Sequence, residues 1–351
     1  MKAYPPEKVS MRAAVLRKPA PLRENPLPLS IEELAMPVPR QGEALLKVLA
    51  CGVCRTDIHI VEGDLPPKNK ALIPGHQIVA EVMESPSSEF RSGMRVGVSW
   101  ISGTDGTCRY CRSGRENLCD HPTYTGYGQN GGFAEYTTAR ADFLLPIPPG
   151  LSDVAAAPLL CAGIIGFRSL RVAEVRHDQN VGLFGFGSSA QLMIKVLQSW
   201  DCRVYVSTRE ESHRTMARQF GAEWVGNETD RPPAELDAEI TFAPSGEVVL
   251  AALRSVAKGG IVAVNAIHLD RMPPFDYDTL LWGERQLRSV TNMTRQDGRD
   301  FLKLAEEIHL NPAVETFRLE QINQAFQAIL DDRTSGPAVV IPHAGVQHMP
   351  A

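Results

Sequence analysis

The sequence predicts an α/β protein made of a strand-rich first part and a doubly wound parallel sheet. Up to about residue 147, short apolar runs are separated by proline and glycine, which is typical of strands joined by loops. After Leu151, apolar runs of strand length alternate with segments in which apolar residues recur at helical spacing. We therefore expect helices on both faces of a parallel sheet in the second part.

Particular stretches carry this prediction. In the first part, the apolar runs that we interpret as strands are residues 13–15, 43–49, 78–83 and 94–98. In the second part, a buried strand at 180–184 precedes a helix with Ala190, Ile194 and Leu197 on one face. The further elements predicted are strands at 202–206, 239–242, 260–264 and 287–290, helices at 210–220, 299–308 and 321–330, and a terminal strand at 338–341.

Composition limits the classes of function. The 351 residues are enough for two domains, and 43% hydrophobic residues is ordinary for a globular protein. The net charge is -5 and there is no basic stripe, so binding to nucleic acid or to an anionic membrane has no electrostatic support. The first thirty residues contain no secretory apolar core, and no run of eighteen apolar residues occurs, so we expect a cytoplasmic protein.

Six of the seven cysteines lie between residues 51 and 161. In a reducing compartment, cysteines at two-residue gaps are more often metal ligands than disulfide partners. Asp105, Cys108, Cys111 and Cys119 follow one another at spacings of three, three and eight, so tight turns can converge four donors on one Zn²⁺. We expect a structural zinc there. The alternative is that Asp105 only caps a turn and the three cysteines hold no metal.

A second candidate set, Cys54, His76 and Cys161, has no local spacing rule and must be brought together by the fold. Its flanking motifs carry a resemblance. The motifs, in chain order, are Gly-Val-Cys-Arg-Thr-Asp-Ile-His at 52–59, Pro-Gly-His at 74–76, the cysteine run 108–119, Gly-Gly-Phe-Ala-Glu-Tyr at 131–136 and Ala-Pro-Leu-Leu-Cys-Ala-Gly at 157–163. Their order and spacing resemble those of the zinc-dependent medium-chain alcohol dehydrogenases, especially the cinnamyl-alcohol and propanol-preferring bacterial groups.

The resemblance implies a discontinuous, GroES-like catalytic domain at 1–162 and 294–351, and a Rossmann cofactor domain at 163–293. It implies a catalytic zinc on Cys54, His76 and Cys161, whereas Cys51 and Cys202 are structural. Relatives build the compact site from four cysteines, so Asp105 is a departure that preserves the ligand charge.

The resemblance also assigns roles to residues around the catalytic zinc. Thr56 would pass the proton of the alcohol through the cofactor ribose to His59, and Asp57 would orient His76. Arg55 would contact the cofactor pyrophosphate. Trp100 would line the substrate pocket, although a core aromatic is an equally good interpretation.

The cofactor prediction rests on Gly185, Gly187 and Ala190, which follow a predicted strand and open a helix, where backbone amides can face a pyrophosphate. An NAD site usually has a carboxylate about 20 residues further on. Here the corresponding residues are Ser207, Thr208 and Arg209, which favours NADP over NAD.

The sequence thus predicts an oxidoreductase that interconverts an alcohol, expected to be primary, and its aldehyde with NADP(H). As in relatives, we expect a homo-oligomer, either a dimer or a tetramer. Two alternatives remain open: a zinc-free quinone reductase on the same fold, and a non-catalytic, zinc-stabilised sensor that binds the cofactor.

Overall fold

The computed structural model describes residues 10–343, which contain seventeen strands and ten α-helices. The strands are β1 Ser10–Leu16, β2 Leu29–Ala35, β3 Glu43–Gly52, β4 Gln77–Glu84, β5 Arg95–Val98, β6 Ile101–Gly103, β7 Thr123–Tyr124, β8 Tyr136–Arg140, β9 Leu145–Pro146, β10 Asn180–Phe184, β11 Arg203–Ser207, β12 Trp224–Gly226, β13 Leu236–Thr241, β14 Val256–Val264, β15 Gln286–Ser289, β16 Glu315–Arg318 and β17 Ala338–Ile341. The helices are α1 Arg55–Glu62, α2 Arg109–Arg112, α3 Asp153–Pro158, α4 Ile164–Val172, α5 Ser188–Ser199, α6 Glu211–Gln219, α7 Gly246–Ser255, α8 Tyr277–Leu280, α9 Arg295–Glu307 and α10 Ile322–Leu330.

The chain forms two compact units. The first unit contains residues 1–161 and 294–351, of which 1–9 and 344–351 lie outside the described residues, and the second contains residues 162–293.

The first unit is built on a seven-stranded sheet in the order β16-β17-β3-β4-β5-β9, with β8 also paired to β3. The strands pair antiparallel except for β16 with β17. Two-stranded sheets, β1-β2 and β6-β7, complete it. Alternating burial along β3 places Leu46 and Val48 in one core with Phe133 and Phe326. The strand-rich organisation predicted for the first part is therefore confirmed.

The second unit is a six-stranded parallel sheet in the order β12-β11-β10-β13-β14-β15. The order reverses between β10 and β13, and this switch point is where doubly wound folds bind their ligands. β10 is buried along almost its whole length, as a central parallel strand must be. The prediction of a doubly wound sheet is confirmed, and the strands begin or end within about three residues of the predicted limits, except that β14 starts four residues earlier.

The backbone before His76 is hydrogen-bonded to residues 131–133, where the two glycines, Gly131 and Gly132, have no space for a side chain. The amides of Gly131, Gly132 and Phe133 donate to the carbonyls of Ile73, Gly75 and Pro74 at 2.7, 2.9 and 3.1 Å. A Cβ built on Gly131 would lie 2.0 Å from the Gly75 carbonyl oxygen. Glycine is required here because the two backbone segments are in direct contact.

We expect Gly131→Ala to lower the thermal midpoint by several degrees, because overpacking of this kind costs about 1–3 kcal/mol or more. The control is Gly128→Ala, whose new methyl group would meet its nearest atom, Lys68 Cδ, at an ordinary 3.7 Å. Thermal denaturation of both variants checks this. Equal thermal midpoints for the two variants would mean that the backbone around Gly131 can shift to accept a methyl group without losing stability.

Candidate metal centres and nucleotide-binding turn

The fold brings the dispersed set together within the first unit. One ligand atom each from Cys54, His76 and Cys161 lie within 4.8 Å of one another. Cys54 is the N-cap residue of α1, and His76 directly precedes β4. Cys161 lies in a π-helical turn, Leu159–Gly163, that follows α3. Such turns occur often at functional sites because they change the direction of one side chain within a helix.

Asp57 orients this cluster and is completely buried. Its Oδ2 accepts from the Cys54 backbone N–H at 2.9 Å, which forms a capping box at the start of α1. Its Oδ1 accepts from His76 Nδ1 at 2.9 Å and from the Gly75 N–H at 3.2 Å. With Nδ1 acting as donor, the lone pair of His76 lies on Nε2.

His76 Nε2 is buried and has no hydrogen-bond partner among the described residues. A buried acceptor of this kind needs an explanation, and a metal ion close to the two sulfurs would supply one. Gln77, the next residue, is also buried, and its Oε1 likewise lacks a partner within residues 10–343.

The electrostatics of the cluster favour a cation. A hydrogen bond from Cys161 holds the pKa of Cys54 well below its usual value, and the same bond, with burial, raises the pKa of Cys161 well above it. Burial lowers the pKa of His76, but the Asp57 carboxylate and the nearby Cys54 sulfur outweigh burial and raise it to about 10. Without a metal ion, the negative charge of the cluster thus draws a second proton onto the ring, at Nε2, where a metal ion would otherwise bind. A divalent ion with two thiolates and a neutral imidazole would balance that charge.

The second cluster is also assembled. Ligand atoms of Asp105, Cys108, Cys111 and Cys119 lie within 4.8 Å of one another. Asp105 Oδ1 accepts from the N–H groups of Thr107 and Cys108 at 2.8 and 2.9 Å, and these bonds hold the pKa of Asp105 well below its usual range. Asp105 therefore caps a turn and at the same time lies among the three sulfurs.

Backbone amides also point at the sulfurs of this cluster. The N–H of Cys111 donates to Cys108 Sγ at 3.5 Å, and that of His121 donates to Cys119 Sγ at 3.4 Å. The Cys111 amide is the largest cause that lowers the pKa of Cys108. Amide donors of this kind stabilise thiolates, which are the form that binds zinc.

An ion pair ties the cysteine loop to α9. Glu116, which is buried three residues before Cys119, accepts from the Arg295 backbone N–H at 2.8 Å and from its Nη2 at 2.7 Å. Arg295 is the first residue of α9, so a carboxylate sits at a helix N-terminus, where the helix dipole favours it. This pair restrains the loop that carries the four candidate ligands.

The other predicted residues of α1 lie around the first cluster. Thr56 is buried, and its Oγ1 accepts a weak bond from Cys54 Sγ at 3.7 Å. His59 Nδ1 lies 2.9 Å from Asp64 Oδ2, and its side chain is 31% exposed. Arg55 is exposed at the first position of the helix.

Trp100 stands beside His76, with ring centroids 5.1 Å apart in an edge-to-face arrangement. It stacks on Tyr124 at 4.8 Å and lies 6.1 Å from Tyr127. The two tyrosines were not predicted from the sequence. Their positions, one in β7 and one just after it, give no signal in the sequence, since the stack depends on β6 pairing with β7.

The glycine-rich turn of the second unit connects β10 to α5. Gly185 has φ +93°, which glycine adopts without strain, and its N–H donates to the Ser207 carbonyl at 2.7 Å. Gly187 is the N-cap residue of α5 and has no side chain to cap the first amides of the helix. A Cβ on Gly187 would meet no atom within 4 Å, so the space above these amides is open to a phosphate.

The residues predicted to select the cofactor end β11. Ser207 and Thr208 are buried, and the Ser207 hydroxyl donates to the Asp230 carbonyl at 3.5 Å. Arg209 is exposed and pairs with Glu210 at 2.9 Å. A second guanidinium, Arg214, donates to the Thr208 carbonyl at 3.0 Å. It was missed in the sequence because it lies within α6, outside the motif.

By length and composition, the 20-residue helical run Asp153–Val172 could cross a membrane. It is also 67% buried inside the protein, as the core helix of a soluble protein would be, so this finding is weak evidence for a membrane span.

A strand-rich unit with two cysteine-based clusters, together with a doubly wound unit that carries a glycine-rich turn, defines a medium-chain dehydrogenase. Residues 40–149 match the alcohol dehydrogenase GroES-like domain. The chain is 42% identical over 344 residues to the probable alcohol dehydrogenase AdhA of Mycobacterium tuberculosis, covering 96% of this chain and 99% of that protein. It is 33% identical over 335 residues to an alcohol dehydrogenase of Geobacillus stearothermophilus, covering 92% and 98%.

Solved structures share the fold. AibC has a TM-score of 0.86 at 24% identity and covers 96% of this chain and 97% of that chain. The cinnamyl alcohol dehydrogenase of Sorghum bicolor has a TM-score of 0.83 at 20% identity, covering 97% and 100%. The chain belongs to the medium-chain alcohol dehydrogenase family, and the predicted fold class, a GroES-like domain with a Rossmann domain, is confirmed.

Proposed function

We propose that the protein is a zinc- and NADP-dependent dehydrogenase that interconverts a primary alcohol and its aldehyde. One observation carries this proposal: a ring nitrogen of His76 lies within 4.8 Å of the sulfurs of Cys54 and Cys161, and the Nε2 of this ring is buried without a hydrogen-bond partner among the described residues. Two thiolates and one imidazole are a common ligand set for a catalytic zinc with an open position. The names of the relatives support alcohol as the substrate class.

A zinc ion on these ligands would supply Lewis acidity, which lowers the pKa of an alcohol and polarises a carbonyl. The chain supplies the remaining functions. Asp57 fixes the ring of His76 through Nδ1, which leaves Nε2 as the atom that would hold the ion. Thr56 places a hydroxyl next to Cys54, where it can relay a proton by accepting one hydrogen bond and donating another, and His59 lies with Asp64 near the solvent.

Trp100 and its two stacked tyrosines support the preference for primary alcohols. The indole beside His76 is a flat apolar wall, held in place by Tyr124. Such a wall accommodates an unbranched or planar aromatic group and crowds a second substituent on the reacting carbon.

For the cofactor, the open helix N-terminus at Gly187 supports dinucleotide binding. The solved structures of similar fold include an acetophenone reductase of Geotrichum candidum in complex with NAD and a Helicobacter pylori enzyme complexed with NADP(H). At the end of β11, Arg209 and Arg214 provide positive charge for a 2′-phosphate, which favours NADP. Glu210 and Glu211 work against this preference, because they pair with Arg209 and Arg214 at 2.9 and 2.8 Å.

The alternatives make different demands on the chain. A zinc-free quinone reductase would not need Cys54, His76 and Cys161 to converge. A sensor that uses zinc only for stability would still bind the cofactor and would never oxidise an alcohol, so metal removal separates it from an enzyme. We also propose a cytoplasmic homo-oligomer, dimer or tetramer, that binds neither nucleic acid nor membranes.

The first test replaces one sulfur. Cys54→Ser should lose one zinc per chain and lower kcat/KM for primary alcohols at least a hundredfold, because the Lewis acid is lost. Cys51→Ser is the matched control, since Cys51 is buried three residues away and its Sγ donates to the Gly52 carbonyl at 3.7 Å instead of joining the cluster. Two measurements check this prediction: the zinc content of each variant, and its kcat/KM for a panel of aliphatic and aromatic alcohols and aldehydes with both nicotinamide cofactors. Full activity in Cys54→Ser would exclude the proposed catalytic zinc.

The second test counts metal in the compact cluster. We expect two zinc ions per chain in the unmodified protein and one in Asp105→Ala, whereas Asp105→Cys should restore two. The control Asp120→Ala removes an exposed carboxylate next to Cys119 and should leave two. One zinc per chain in the unmodified protein would favour the alternative that Asp105 is only a turn cap.

The third test concerns the cofactor. Arg209→Glu should lower the ratio of NADP to NAD efficiency about tenfold or more, because a carboxylate repels the 2′-phosphate. Arg218→Glu makes the same charge change further along α6 and should leave the ratio near its original value. Steady-state kinetics with both cofactors decides it, and an unchanged ratio in Arg209→Glu contradicts the NADP preference.

A further inference from the structure

Glu239 is a buried acid that the proposed chemistry does not use. It lies in β13, at the centre of the second unit's sheet, and is 0% exposed. Neither of its carboxyl oxygens has a hydrogen-bond partner among the described residues. Burying an ionised carboxylate without donors is strongly unfavourable. The protonated, neutral acid is therefore the form that this position accepts.

The surroundings of Glu239 are apolar and closely packed. Its register partners are Gly182 on β10 and Val262 on β14. Gly182 leaves the space that the side chain occupies, since a Cβ there would lie 3.1 Å from Glu239 Cγ. Helix α7 packs on β13 and β14, and Val262 forms one apolar cluster with Phe184 and residues of this helix.

No charged group in these elements is placed to pair with Glu239. β10 has no titratable side chain. The charged residues of the other elements, Asp237 on β13, Glu247 and Arg254 on α7, and Lys258 on β14, are all exposed. Water-exposed charges at this distance from the core cannot compensate an ion buried beneath the helix.

The polar side chain that does act on Glu239 is Ser255, and it offers little to a carboxylate. Its hydroxyl donates to the carbonyls of Ala251 and Ala252 at 3.2 Å, which leaves its oxygen mainly as an acceptor. Burial raises the pKa of Glu239 well above its usual value, and Ser255 offsets only part of this.

We propose that Glu239 makes the second unit less stable as pH rises, because the folded sheet holds this residue as a neutral acid and its ionisation opens the sheet. Because Glu239 lies in β13, opening of the sheet there would also affect cofactor binding. The amide of Phe242, three residues further on, donates at 2.7 Å to the carbonyl of Phe184, directly before Gly185. Opening around β13 would therefore disturb the glycine-rich turn. The inference does not depend on the substrate or on zinc.

The sign follows from proton linkage. In the opened state Glu239 has an ordinary pKa of about 4.3, and in the folded state its pKa is higher. Between these two values the open form has lost a proton that the folded form keeps. Stability is therefore full below the lower value and falls as pH rises, with the opening equilibrium increasing up to tenfold per pH unit.

Hydrogen–deuterium exchange of the full-length, zinc-loaded protein between about pH 5.5 and 8.5 measures this opening in peptides from β10 and β13. At each pH, the exchange rate of the unmodified protein is divided by that of Glu239→Gln. The intrinsic effect of pH on exchange is the same in both proteins and cancels in this ratio. We expect this ratio to rise with pH, by up to about tenfold per unit. Glu239→Met also removes the titrating group, and its ratio should rise in parallel even if its absolute stability differs.

The matched control is Glu247→Gln on the exposed face of α7, whose ratio should not change with pH. Ratios that stay constant with pH for both Glu239 variants would overturn the proposal, because the acid would then titrate identically in both states. The measured quantity is the slope of the exchange-rate ratio against pH. A general loss of stability in either variant changes the ratio equally at every pH and therefore leaves this slope unchanged.

Discussion

The three hydrogen bonds accepted by Asp57 are the constraint on which the first unit's site depends. They join the Cys54 amide at the start of α1, the Gly75 amide and the His76 ring, at 2.9, 3.2 and 2.9 Å. One buried carboxylate thus sets the position of two candidate ligands that are 22 residues apart in the sequence. It also directs Nε2 of His76 toward the sulfurs. The third ligand, Cys161, comes from the π-helical turn and completes the cluster.

The backbone around Asp57 is arranged so that these bonds can form. Gly75 adopts φ +96°, and a Cβ there would lie 2.9 Å from Cys51 Sγ. Gly131 packs against the same stretch from the other side. The Pro-Gly-His motif is therefore a steric requirement as much as a chemical one, because any larger residue would shift the ring of His76. Cys51 acts as a wall of this arrangement, which agrees with its interpretation as a structural residue.

Local pattern explains why so much of the fold could be predicted. Buried parallel strands such as β10 are continuous apolar runs, and the glycine-rich turn after it has a fixed spacing, so both are visible in the sequence. β16 and the short β12 were missed, because alternating polar residues and three-residue strands give a weak signal. The compact cluster was predictable from its spacing. The convergence of Cys54, His76 and Cys161 follows from tertiary packing and was reached only through the family resemblance.

Some features could not have been anticipated, because they depend on which side chains meet across strands. Nothing near Trp100 in the sequence indicates that Tyr124 stacks on it. Similarly, the composition of β13 does not reveal that Glu239 lies opposite a glycine in the sheet core. Asp57 and Glu239 are both completely buried but differ in one physical respect: Asp57 accepts three N–H bonds, whereas neither oxygen of Glu239 has a partner among the described residues. The three donors stabilise the ionised form of Asp57 and let it position the groups around it. Glu239 has no such donors among the described residues, so its ionisation would destabilise the fold.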